Sequence, residues 1–536
     1  MSVKVRFAPS PTGKVHIGNI RTAIFNWLFA RHEHGEFVLR VEDTDRERST
    51  REAIDAMLAC MDWLGLDYDG EVVYQSDRTP AHLVAARQLL DRNQAYYGTP
   101  GADGKAPVLF RIPLNADDLA VVRTAGPAEM TIAPEVPLRI GGHGVEFAII
   151  SRKGKPTPAA GCLAGFKDLR VFDRHGNCCF DLREHWDAVL AGEIFTVTDG
   201  EKITFTRREV FFNDMIKGEL AKPLDSMKDQ VIVRSDGTPI FHLANVCDDC
   251  FQQITHIVRG DDHVENTYRH ILLFHQLGYP VPQYAHLPMI VNKQGKPYSK
   301  RDGDAFVGDF RSKGYLADAL FNYLTLLGWS PGDDREKMSR DEMIASFNLA
   351  RVKSAPAQFD LNKLQNMNGA YLAEMPAAAF QEWAAMFARE CELPVDPAAP
   401  EFAAVAALMQ SRTKQAADVG EWRYFFTGDF AYNEKAVRKQ LSAEEVRAGL
   451  RQFVVALSGV TELTATAAET LIRATEQAAG LAEGKLNQPL RLAVSGITAG
   501  ADIGSTIARL GVAELPGRIN RILSYYETLP TVAEQG

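Results

Sequence analysis

Val3, Val5 and Phe7 alternate with Lys4 and Arg6 at the start of the chain, a period of two that predicts a half-buried strand over residues 3–8. The period then lengthens. Ile20, Ala23, Ile24, Trp27, Leu28 and Ala30 recur at helical spacing and predict a helix near 19–33. Phe37-Val38-Leu39-Arg40-Val41 reads as a second strand, ended by the polar run Glu42-Asp43-Thr44-Asp45. Further helices are expected over 50–64 and 80–93. Strands alternating with helices predict an α/β region with a doubly wound parallel sheet. In such sheets ligands sit beyond the carboxyl ends of the strands, which is where His16 and Glu42 fall.

Residues 99–202 change character. Gly, Pro and short alternating runs (108–112, 145–150, 169–172) predict a mostly β insertion between residues 1–98 and a second α/β half over 203–310. The doubly wound pattern is expected to resume at Ile203-Thr204-Phe205 and to continue through 229–233 and 254–258. From 311 onward the chain reads as helical, with amphipathic stretches over 315–329 and 338–348. Leu393-Pro394-Val395-Asp396-Pro397-Ala398-Ala399-Pro400 reads as a linker or tight turn. The remainder, to about residue 528, is rich in Ala, Leu, Arg and Glu without a strand signal.

Composition narrows this picture only a little. A chain of 536 residues holds several domains. No apolar run reaches the ~20 residues of a membrane helix, and the first residues read as a strand rather than a signal peptide. Seven scattered cysteines fit a reducing, cytoplasmic setting better than a disulfide framework. The net charge of −10 gives no basic footprint, so any nucleic-acid contact must use local patches.

Candidate chemistry lies in a few places. The run from Arg6 to Asn19 is a strand, a rigid Pro/Gly loop and a helix mouth carrying His16-Ile17-Gly18, where free N–H groups and the helix dipole favour phosphate. Gly295-Lys296-Pro297-Tyr298-Ser299-Lys300-Arg301-Asp302-Gly303 is a Gly-bounded cationic loop suited to polyphosphate. Arg259 closes a strand before Gly260-Asp261-Asp262-His263, an arrangement also compatible with a plain ion pair. Cys247-Asp248-Asp249-Cys250 has metal or redox spacing but no second cysteine pair, so packing is the expected role. His32-Glu33-His34 ends a helix and is expected to face solvent.

Together the first run and the cationic loop closely resemble the "HIGH" and "KMSK" segments of class I aminoacyl-tRNA synthetases, in the glutamyl-tRNA synthetase form. The resemblance covers 1–98, 203–372 and, more loosely, the rest. It implies a Rossmann-like catalytic domain (1–98 and 203–310), an acceptor-end insertion (99–202), a stem-contact helical domain (311–372) and a helical anticodon-binding domain (373–536). It implies glutamate–tRNA ligase activity using ATP and Mg2+, with L-glutamate and tRNA(Glu) as partners, no membrane, and a monomer.

By the same resemblance His16 and Lys300 are catalytic. Gly18, Asn19, Asp262, Ser299 and Lys300 bind ATP, while Arg6, Ser10, Glu42, Phe241, Asn245 and Arg259 bind glutamate. Arg412 and Arg491 contact the anticodon. No structural zinc and no protein-held metal are implied, because Gly98-Thr99-Pro100 follow Ala95-Tyr96-Tyr97 where some relatives carry zinc ligands.

The chain departs from the family pattern in three ways. Pro297 replaces the first lysine of the loop, Phe241 replaces a tyrosine, and the insertion is remodelled over 115–202. Alternative readings are an enzyme that also charges tRNA(Gln) and an inactive synthetase-like RNA-binding protein.

Overall fold

The computed structural model describes residues 2–11, 13–44, 49–102, 104–114, 116–142 and 144–530. Asp45, and Thr12 within the run from Arg6 to Asn19, lie outside them. Two compact units divide the chain, one of residues 1–308 and 324–359, the other of 309–323 and 360–536.

The first unit opens as the alternation dictates: β1 (Lys4–Phe7), α1 (Ile17–His32), β2 (Glu36–Val41), α2 (Arg51–Trp63), β3 (Val73–Tyr74) and α3 (Thr79–Asp91). β1, β2 and β3 are parallel neighbours. α1 is apolar nearly all round because it is enclosed, with Ile20, Ile24 and Leu28 fully buried. His32 is not solvent-facing as expected: its Nδ1 lies 2.8 Å from the Ile344 carbonyl.

A small sheet of β4 (Ala95–Tyr97) and β5 (Val108–Phe110) leads into the insertion. There follow β6 (Val122–Thr131), β7 (Leu138–Gly141), β8 (Gly144–Ile150), β9 (Pro156–Gly161), β10 (Phe166–Phe172), β11 (Cys178–Asp181), α4 (Trp186–Leu190) and β12 (Phe195–Val197). The sheet β12-β7-β8-β9 shares a core with a second sheet, Ile140 and Phe147 meeting Phe166, Ile203 and Phe205.

Residues 203–205 do not restart the parallel sheet. They belong to β13 (Lys202–Asp214), which runs antiparallel to β6 and β10 and then to β14 (Gly218–Pro223). Its alternation suits an antiparallel sheet equally well, and only the partners decide. β15 (Gln230–Val233), expected to extend the doubly wound sheet, instead pairs antiparallel with β5. The parallel sheet resumes after α5 (Phe241–Phe251), with β16 (His256–Gly260), α6 (Val264–Leu277) and β17 (Gln283–Leu287). β16 lies beside β1, where the Thr255 amide donates to the Lys4 carbonyl at 2.9 Å. The last residue of β13 joins β17 at Asp214–Tyr284. The carboxyl ends of β1, β2 and β16 therefore open on one side.

β18 (Ile290–Val291) pairs with β19 (Ala357–Gln358), a short strand inside the stretch expected to be helical. Between them lie α7 (Val307–Ser312), α8 (Ala317–Leu326) and α9 (Arg340–Ser346). From residue 360 onward the second unit is helical, from α10 (Leu361–Glu374) to α19 (Leu515–Thr528). Its two apolar clusters centre on Phe380, Phe402 and Trp422 and on Leu450, Phe453, Ile472 and Ile519.

Candidate active site

His16 is the N-cap of α1. Its Nδ1 accepts the Gly18 N–H at 3.0 Å, satisfying one of the donors a helix start leaves open. Burial lowers the pKa of the ring against the opposing pull of a hydrogen bond to the Tyr298 backbone. Gly18 is tight: a Cβ there would sit 3.3 Å from His16 Nδ1. The glycine thus admits the capping ring as well as any ligand. Residues 15–17 are tied to 305–307 by Ile17 N–H to Ala305 O (2.9 Å) and Val307 N–H to Val15 O (3.0 Å).

The mouth of α1 faces a cavity of about 590 Å³ beyond the carboxyl ends of β1, β2 and β16. Its walls bring together Arg6, Ser10, His16, Gly18, Asn19, Glu42, Phe241, Asn245, Arg259 and Asp262, residues far apart in the chain. Ser10, Asn19 and Asp262 are exposed at its rim; Arg6, Glu42, Asn245 and Arg259 are buried.

The buried end is a charge network. Arg6 Nε donates to Asp249 Oδ1 at 2.9 Å, and Arg40 Nη1 donates to the same oxygen at 2.7 Å. Arg40 also reaches Gln252 Oε1 (3.1 Å) and Glu42 Oε1 (3.5 Å), and Asn245 Nδ2 donates to Glu42 Oε1 at 2.7 Å. Two arginines and two carboxylates thereby neutralise one another out of water, the condition under which buried charge is tolerated. Burial raises the pKa of Glu42 despite Arg40 and Arg6. For Asp249 burial pulls upward too, but Arg40 and Arg6 outweigh it and hold the carboxyl below its ordinary value.

Asn245 Oδ1 is a buried acceptor with no hydrogen-bond partner among the described residues. Arg259, whose pKa burial lowers to about 10, donates to neutral acceptors: His286 Nε2 (3.3 Å), Thr267 Oγ1 (2.6 Å) and the His263 carbonyl (3.3 Å). Phe241 packs among the rings of His242, His263 and His270.

Arg40, Asp249 and Arg21 are functional candidates that motif reading passed over. Arg40, on β2, and Glu42, just past its end, stand two apart in the alternation; Phe241, Asn245 and Asp249 stand four apart on α5 and share a face. That periodicity was the available signal. Arg21, a turn into α1, lines the cavity and donates to the Leu327 and Pro288 carbonyls.

Ser299 and Lys300 do not line the cavity. They follow Tyr298, which does, on a turn where Asp302 Oδ2 accepts the Ser299 N–H (2.9 Å) and hydroxyl (3.0 Å) and Asp302 Oδ1 accepts Asn292 Nδ2 (2.7 Å). Pro297 bridges Val291 in a short hairpin, and Tyr298 is buried against Phe359. Lys300 itself is exposed.

The Cys-x-x-Cys lies within α5, where Asp248 and Asp249 anchor its surroundings. Cys247 is buried, its thiol pushed up to about 12. Asp248 accepts from Gln75 Nε2 (3.1 Å) and Arg78 Nε (3.3 Å), and its Oδ1 lies 2.8 Å from His82 Nε2, joining α3 to α5.

In the second unit Arg412 and Arg491 come close enough to repel electrostatically. Burial, then that repulsion, keep Arg491 below its ordinary pKa against the pull of Tyr424 and Asp502. Arg412 is exposed.

A parallel sheet split by an insertion, with a His-capped helix mouth and a cationic turn following one cavity wall, defines the class I synthetase arrangement. Residues 2–102 and 202–366 match the family described as tRNA synthetases class I (E and Q), catalytic domain, and 376–523 match the anticodon binding domain family. The chain is 35% identical over 520 residues to the glutamate–tRNA ligase of Trichlorobacter lovleyi, covering 97% of this chain and 98% of that one. It is 36% identical over 522 residues to glutamate–tRNA ligase 2 of Parvibaculum lavamentivorans (97% and 94% covered). A crystal structure of a glutamate tRNA ligase from Elizabethkingia meningosepticum, in complex with its amino acid, superposes with TM-score 0.68 at 26% identity, covering 99% of this chain and all of that one. The chain belongs to the glutamate–tRNA ligase family of class I aminoacyl-tRNA synthetases.

Proposed function

We propose that the cavity activates L-glutamate with ATP and that the enzyme then charges tRNA(Glu). The observation that carries this reading is the pairing, across one cavity, of Arg6 and Arg259 with the acceptors Glu42 and Asn245 Oδ1. An amino acid with two carboxylates and one ammonium needs such a set. Arginine's planar fork suits a carboxylate; Arg6, bound to Asp249 through Nε, turns its Nη groups to the substrate's side-chain carboxylate. Glu42 and Asn245 hold the α-ammonium, with Ser10 at the rim.

The α-carboxylate oxygen attacks the α-phosphorus of ATP, the bond to pyrophosphate breaks, and glutamyl-adenylate forms. The terminal ribose hydroxyl of the tRNA then attacks the acyl carbon and AMP leaves. No side-chain nucleophile is required; orientation and charge stabilisation supply the rate. His16 and the α1 mouth face the phosphates, with Gly18, Asn19 and Asp262 around the nucleoside, and Ser299 and Lys300 are carried to it by their turn. Mg2+ on the phosphates would supply charge neutralisation. Glu42 is already engaged by Asn245 and Asp261 by Lys217, so phosphate oxygens and water would be the ion's donors.

Arg412 and Arg491, whose mutual repulsion an anion or a stacked base relieves, contact the anticodon. We assign the enzyme as a cytoplasmic monomer; among the described residues no helix is long and apolar enough to cross a membrane. Aminoacylation of purified tRNA(Glu) and tRNA(Gln) with glutamate and glutamine tests the assignment. Glutamate on tRNA(Glu) is expected; absence of charging together with absence of pyrophosphate exchange in the presence of tRNA overturns it.

A further inference from the structure

Arg259 differs from Arg6 in having no carboxylate partner among the described residues. What orients it is a buried chain that starts outside the cavity. Asp214 Oδ2 lies 2.6 Å from His286 Nδ1, and both side chains are fully buried. A carboxylate at that distance fixes the proton on Nδ1, which leaves Nε2 bare as an acceptor. Arg259 Nε donates to that Nε2 at 3.3 Å. Thr267 Oγ1 sits 2.9 Å from the same nitrogen and accepts Arg259 Nη2. The His286 ring lies parallel to that of Tyr284, at an interplanar angle of 2° with centroids 5.9 Å apart.

Asp214 is held in turn by the N–H groups of Ile216, Lys217 and His286. It is the last of the thirteen residues of β13, a strand of about 40 Å by its rise per residue. The other end of that strand is a central member of the insertion's sheet.

We propose that Asp214 and His286 are positioning residues for amino-acid recognition, holding the His286 tautomer that fixes the Arg259 guanidinium for a substrate carboxylate. The inference rests on the placement of Arg259 in the glutamate site. Because Asp214 terminates β13, the guanidinium is registered to the backbone spine of the insertion.

The test compares His286→Leu, His286→Gln, Asp214→Asn and Arg259→Ala in aminoacylation of tRNA(Glu), with the KM for glutamate, the KM for ATP and kcat measured separately. Glutamine keeps a donor for Asp214 and an acceptor for Arg259. Asparagine, with its oxygen retained at the Oδ1 position by the Ile216 and Lys217 N–H groups and by that of His286 at 3.2 Å, turns its NH2 to Nδ1 and forces the proton onto Nε2, against Arg259. The expected result is a glutamate KM raised roughly tenfold in His286→Leu and Asp214→Asn, the scale of one lost hydrogen bond to a charged group. In both, the KM for ATP and kcat stay near native, and His286→Gln recovers most of the loss. A native glutamate KM in Asp214→Asn, or equal losses for glutamate and ATP without rescue by glutamine, overturns the proposal. If His286→Leu does not fold, the Asp214→Asn and His286→Gln pair decides alone. A native glutamate KM in Arg259→Ala overturns instead the placement of Arg259 in the site.

Discussion

The buried end of the cavity and the loop around Lys300 both carry cationic side chains, yet they are built on opposite principles. Arg6, Arg40 and Arg259 are buried and held by partners more than two hundred positions away or on other elements, so their geometry exists before any ligand arrives. Lys300 is exposed on a turn where Asp302 accepts from Ser299 and Asn292, both within ten positions. The difference teaches where specificity and mobility reside. On the proposed function, a desolvated, neutralised network discriminates among amino acids because leaving one of its groups unpaired is costly. A solvated turn can change position at little cost and follow the phosphates.

The sharpest way to break the comparison is to remove the shared anchor of the buried end. Asp249→Ala strands Arg6 and Arg40 without a counter-charge, and a loss of about 3–5 kcal/mol in folding stability is expected. Urea unfolding measures it; a midpoint near native shows that the network is not what holds this end. On the other side, Lys300→Ala is expected to leave stability unchanged and to add about 2–4 kcal/mol to the barrier of adenylate formation, as for loss of one oxyanion donor. Pyrophosphate exchange in the presence of tRNA measures this, and near-native turnover removes Lys300 from the chemistry.

The smallest effect is on pH. Burial raises Glu42 above its ordinary 4.5, so the native state favours the protonated form. Stability from this group is therefore greatest at acid pH and falls as pH rises from 4.5 through the raised value. Ammonium binding has the opposite sign, because it needs the ionised carboxylate. The KM for glutamate is expected to rise as pH falls through that window, and Glu42→Gln is expected to flatten the profile. A parallel rise in the variant assigns the titration elsewhere.

Much of this was legible in the chain. The strand–loop–helix at Arg6 to Asn19 is local, and so is the helix mouth that His16 caps. Glu42 follows a strand by simple alternation. What could not be read is partner choice. The run from Ile203 alternates as any strand does, and the sequence offers no sign that it pairs antiparallel with β6 and β10. Asp249 looked like half of a Cys-x-x-Cys segment because its value appears only when α5 turns it toward Arg6 and Arg40 from β1 and β2. His286 carried no motif at all.

The sequence alone therefore determined the elements, the helix mouth and the family, since these depend on short-range periodicity and on residues clustered within a few positions. Tertiary structure alone decided the sheet partners of β13 and β15, the neutralisation of Arg6 and Arg40 by Asp249, and the tautomer of His286 beside Arg259. Those depend on burial and on the direction of a few hydrogen bonds between distant segments. Such energies arise only when the chain has folded and water has been removed from between the charges.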